Sequence, residues 1–117
     1  MAITEKDLTR KDFIEYLTKL VNECLDEAKN LALPVAARTE LYSVGCDLDD
    51  ELQVIVNEQF AEDSEKFVAS AKEIERVAKN LKKNLEQLEN IAKTFKAIAQ
   101  ILEVAEDVAI IAAGYFT

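Results

Sequence analysis

The chain has 117 residues, half of them apolar and about a third charged, with a formal net charge of −9, two Gly, one Pro, two Cys and no His. A chain of this length builds one domain around a single core (residues 1–117), and breakers this sparse over long polar–apolar runs point to an all-α class. The absence of His removes imidazole as a base and a metal ligand, no phosphate-cradling Gly loop or nucleophile elbow occurs, and an acidic chain repels phosphate backbones, so the sequence predicts a non-enzyme with no cofactor, no metal and no nucleic-acid partner.

The opening stretch "MAITEKDLTRKDF" is polar where a secretory leader needs an apolar run, which predicts a cytoplasmic protein. A first helix is predicted over 10–32, capped by Thr9 with Asp12 in its first turn, and its apolar stripe reads Phe13, Leu17, Leu20, Val21, Cys24, Leu25, Ala28, Leu31. Pro34 disfavours helix at Leu33 and suits the first turn of a second helix, predicted over 35–44 and stopped by Gly45.

Asp47 then reads as the cap of a third helix over 48–62, its apolar side carrying Leu52, Ile55, Val56 and Phe60. Residues 46–65 hold eight acids and no base. Acids near a helix amino terminus complement its partial positive charge, and the run lacks the spacing, central Gly and closing Glu of a calcium loop. Asp49, Asp50, Glu58 and Glu62 make an acidic face that a basic protein partner would fit, which is the reading of an inhibitor or immunity-type protein. Cys24 lies on an apolar stripe and Cys46 at the predicted second break, so two free thiols are expected in a reducing compartment.

The last predicted helix, 65–113, carries a heptad seam. Steps of seven give Phe67, Ile74, Leu81, Leu88, Phe95, Leu102 and Ala109, and Leu85, Ile91 and Ile98 widen the row. Such a helix would be about 70 Å long at ~1.5 Å per residue, more than a compact domain of this size accommodates. Either a second copy covers the excess or the chain folds back near Asn80–Asn84. The uninterrupted register favours the first, a helical bundle with a long C-terminal helix that associates through Phe67, Ile74, Leu81, Leu85, Leu88, Ile91, Phe95, Ile98 and Leu102, with itself or with another protein.

The end of this helix, residues 97–116, is apolar around most of its circumference. A membrane span needs about 20 mostly apolar residues and pays at least ~2.5 kcal/mol for a central charge. Glu103, Glu106 and Asp107 lie in this stretch, so the sequence places it at the centre of a bundle, with Ile110 covered. A membrane-perturbing helix kept soluble by packing is the second reading.

Overall fold

A computed structural model describes residues 10–58, 65–88 and 91–115. Over these the chain is an all-α bundle of five helices: α1 Arg10–Glu27, α2 Val35–Glu58, α3 Glu65–Glu86, the single turn α4 Ile91–Thr94, and α5 Lys96–Gly114. Thr9, the expected cap of the first helix, and Phe60 lie outside the described residues.

α1 begins as predicted and ends five residues early. Its stripe from Phe13 to Cys24 is buried, Leu25 and Ala28 are half-buried, and Leu31 is exposed. The reason is local. Asn30 donates from Nδ2 to Glu27 Oε1 (2.9 Å), and its own Oδ1 accepts from the Ala32 amide (3.0 Å), an Asx turn that competes with helix continuation.

The second and third predicted helices are one. α2 runs through Gly45 and Asp47 without interruption, so the expected stop at Gly45 and cap at Asp47 are corrected. Gly45 is buried in helical backbone against α1: a Cβ placed on it would lie 2.7 Å from Leu25 Cδ2 and 3.3 Å from Cys24 Cβ. Glycine here serves close approach of two helices, at a cost of about 1 kcal/mol in helix propensity. Ala37, Leu41, Val44, Leu48, Leu52 and Ile55 form the buried stripe of α2, and Val56, expected on it, is exposed.

The helix predicted over 65–113 is broken, and the break falls beyond Asn80–Asn84. α3 stays regular through both asparagines and ends at Glu86. Its last turn tightens, with the Leu88 amide on the Leu85 carbonyl (3.1 Å), α4 supplies one turn, and Phe95 is extended (φ −120°, ψ 111°) before α5 starts. No Gly or Pro marks the site. Opening the ladder forfeits a few backbone hydrogen bonds, each worth about 1 kcal/mol net. Folding back buries Ile98, Ile101, Leu102, Val104, Val108 and Ile111 of α5, and full burial of such side chains is worth roughly 1.5–3 kcal/mol each. Burial wins, and the molecule measures 41 × 28 × 19 Å, too short for the uninterrupted helix.

The four long helices form a closed ring in which α1 packs on α2, α2 on α3, α3 on α5 and α5 on α1. Each neighbour runs antiparallel. Asn84 near the end of α3 donates to Glu40 near the start of α2 (2.9 Å), Lys82 reaches Glu106 across α3 and α5 (3.3 Å), and the Phe13 ring of α1 meets Tyr115 just after α5 (centroids 5.3 Å). Phe13, Phe67 and Tyr115 plug one end of the core, the last two ring to edge at 4.8 Å.

Candidate functional site

An apolar opening lies at the corner where α1 gives way to α2. After the Asx turn at Asn30, the chain turns Leu33 into the core and leaves Leu31 82% exposed. Pro34 starts α2 by accepting the Arg38 amide (3.1 Å), and Arg38 Nε donates to the Leu33 carbonyl (3.2 Å), which ties the connection to the new helix. Val35, Thr39 and Tyr42, at i, i+4 and i+7, then fall on the outer face of α2, with Val35 67% and Tyr42 62% exposed.

Between this face and the end of α1 lies a groove of about 610 Å³, floored by Leu25 and Ala28, walled by Val35 and Tyr42, and rimmed by Lys29 and Arg38. The charged residues lining it are both cationic, in a chain of net charge −9. Val35 and Tyr42 line this groove and Leu31 stands in the connection between the two helices, while Val54 (41%), Val56 (43%) and Ile110 (40%) are less exposed elsewhere.

Two smaller grooves flank α5. One, of about 400 Å³ between α1 and α5, is polar and gathers Tyr16, Lys19, Glu23, Gln100, Glu103 and Asp107. Burial, then the neighbouring Glu103 and Glu106, raise the Asp107 carboxyl above the usual aspartate range, and Lys19 partly offsets them. One carboxylate oxygen of Glu23 is buried with no hydrogen-bond partner. The other, about 280 Å³ between α3 and α5, is lined by Ala78, Ala105, Ala109 and Ala113 with Lys79 and Ile110 at its edge.

The predicted seam is spent inside the chain. Phe67, Ile74, Leu81, Leu85, Ile91, Ile98 and Leu102 are buried in the chain's own core, and Leu88 and Phe95 pack half-buried against it at the fold-back. The covering that a second copy was expected to supply comes from α1, α2 and α5. Of the acidic face, Asp50 is exposed and Asp49 half-buried on α2, Glu58 ends that helix, and Glu62 lies outside the described residues. Ile110, expected to be covered, is 40% exposed; Val108, Ile111 and Ala112 take the core positions instead.

Among the described residues no helix is long and apolar enough to cross a membrane, and no cluster of His, Cys, Asp and Glu is arranged to hold a metal ion. Both cysteines are free, Cys24 buried and Cys46 half-buried within α2 rather than in a loop. Desolvation, then Glu23 and Glu40, push the Cys24 thiol up to about 12.

Leu31 is expected on the apolar stripe of the first helix and is exposed instead, and Val35 and Tyr42 do not stand out in the sequence. The signal that finds Val35 and Tyr42 is the i, i+4, i+7 spacing of Val35, Thr39 and Tyr42 opposite Ala37, Leu41 and Val44, readable within the predicted helix 35–44. Comparisons with protein-family models, with curated proteins and with solved structures return no match.

Proposed function

We propose that this chain is a non-enzymatic helical binding protein of the reducing cytoplasm that works by association with itself or with another protein, and that the surface it uses is the α1–α2 corner. The observation that carries this reading is the exposure of Val35 and Tyr42 on an apolar groove at this corner, with Leu31, 82% exposed, in the connection between the two helices that form it. Apolar surface left in water at one place, with an aromatic and an arginine beside it, has the composition of an interface centre. The lack of His and of nucleophile or phosphate motifs supports the non-enzymatic part.

The heptad seam is not the association surface in this reading, because its residues already fill the core. The apolar circumference of α5 is packed against α1 and α3, so the membrane-perturbing alternative requires that helix to be released first. Light scattering of the wild type across micromolar concentrations, beside a Leu31→Ser/Val35→Ser/Tyr42→Ser variant with an unchanged melt, tests the proposal. The wild type should associate and the variant should not. Equal masses at every concentration would overturn the corner as a self-association surface, and dye release from vesicles by the wild type would favour the membrane reading.

A further inference from the structure

The acids of the α1–α2 corner are turned away from its groove. Asp26 and Glu27 interleave in sequence with the groove residues Leu25, Ala28 and Lys29, yet both face α5, beside Ala97 and Ile101. Glu40 follows Thr39 and is held toward α3, where it accepts from Asn84 (2.9 Å). Lys29, just past the end of α1, and Arg38, on α2, are left as the charges lining the groove, and among the described residues neither is in a salt bridge. Arg38 is half-buried and its Nε donates to the Leu33 carbonyl, which fixes the guanidinium at the groove and leaves its terminal N–H groups for a second acceptor.

We infer that the groove takes an acidic amphipathic helix of another protein, its apolar residues against Leu25, Val35 and Tyr42 and its carboxylates on Lys29 and Arg38. The inference rests on the α1–α2 corner being an association surface and names what occupies it. Charge sets the class of partner: apolar surface bordered by cations complements an apolar strip bordered by acids. Shape sets its secondary structure. The groove lies between two antiparallel helices, Val35 and Tyr42 are two turns apart, about 10 Å at ~1.5 Å per residue, and among the described residues no strand offers an edge to an extended peptide. A helix with apolar residues at i, i+4 and i+7 spans the same two turns. A second copy seated symmetrically on the corner would bring the same two cations to both sides of the contact, so self-contact is the weaker use of this surface and the acidic helix displaces it. An anionic bilayer meets protruding side chains, whereas Leu25 and Ala28 lie at the floor of a concavity that a helix can fill.

The probe is a fluorescein-labelled synthetic helix with leucines at i, i+4 and i+7 and glutamates flanking them, compared with the same peptide carrying lysine at every glutamate. Fluorescence anisotropy with the intact chain should show the glutamate helix bound at least about tenfold more tightly than the lysine helix. Lys29→Glu combined with Arg38→Glu should reverse that order. Lys29→Glu alone, which leaves the Arg38 bond to the Leu33 carbonyl in place, should weaken the glutamate helix, and Tyr42→Ser should weaken both peptides, each variant first shown to melt normally.

Equal binding of the two peptides by the wild type, or tighter binding of the lysine helix, would overturn the acidic occupant and leave the corner as an apolar association surface. Binding of neither, in a wild type whose self-association the Leu31→Ser/Val35→Ser/Tyr42→Ser variant abolishes, would overturn the inference and keep the corner for a second copy. Binding of neither by a wild type that is monomeric at every concentration would overturn both the inference and the reading beneath it. Sedimentation with phosphatidylglycerol vesicles in the absence of peptide binding would assign the corner to a membrane and overturn the inference as well.

Discussion

Leu25 and Gly45 hold α1 and α2 together: the Leu25 Cδ2 methyl lies 2.7 Å, and its Cγ 3.0 Å, from where a Cβ on Gly45 would be. An alanine at 45 would push a half-buried side chain that borders the corner groove, while gaining up to about 1 kcal/mol of helix propensity. The two effects offset, and Gly45→Ala should change stability by no more than about 1 kcal/mol. Gly45→Val adds branches that meet Leu25 Cγ and the Cys24 Cβ together, and overpacking of that kind costs about 1–3 kcal/mol. Thermal melts of the two variants check the difference; a Val variant as stable as the Ala one would show that α1 yields freely.

The seam residues should behave as core and not as interface. Leu85→Ala and Ile98→Ala each remove a fully buried side chain and should cost about 2–5 kcal/mol. If the protein associates through α2, neither variant changes the dimer dissociation constant once folded. Urea melts with light scattering on the same samples separate the two effects.

Ile110 and Val108 are two residues apart on α5 and should respond very differently to a charge. Val108 is fully buried, so Val108→Asp places an unpaired carboxylate in the core and should cost several kcal/mol or prevent folding, at roughly the upper end for single substitutions. Ile110 is exposed enough for a carboxylate to reach water, and Ile110→Asp should cost about 1 kcal/mol or less. Equal losses in paired thermal melts would place Ile110 in the core after all.

Asp107 gives a pH dependence with a definite sign. Burial raises its folded pKa above the ordinary 3.8, so the ionised form is the one that folding disfavours. That penalty is fully present above the folded pKa and is removed as pH falls through it toward the unfolded value. Glu51, raised chiefly by burial from 4.5 against the lowering effect of its Ser70 hydrogen bond, acts in the same direction. Both groups are largely solvated, so each effect is below about 1 kcal/mol. Asp107→Asn should be slightly more stable than wild type at pH 7 and lose that advantage near pH 4. Denaturant melts at the two pH values decide it; a less stable Asn variant at pH 7 would mean that Lys19 outweighs the desolvation.

The thiols should separate by reactivity. Cys24, pushed up to about 12 and buried, stays protonated and shielded at pH 8, and Cys46 is accessible. A thiol-disulfide reagent should titrate one group rapidly in the native protein and two in denaturant. Two fast groups in the native state would show that α1 opens readily from α2.

What the residues by themselves determined is the class and most of the core. A stripe at three-and-four spacing is apolar wherever the helix lies, so Phe13 through Cys24, Leu52, Ile55 and the seam from Phe67 to Leu102 were legible as packing surface before any partner was known. What covers that surface was not legible, because periodicity records that a face is apolar and says nothing of what lies against it. Tertiary structure decided three things. Gly45 is helical because α1 comes close enough to need it, overriding its tendency to end a helix. The chain reverses between Glu86 and Lys96 without Gly or Pro because burial of α5 outweighs a few opened hydrogen bonds. The α1–α2 corner became a candidate surface only when the seam turned inward and α1 ended at Glu27, which leaves Leu31 outside the core.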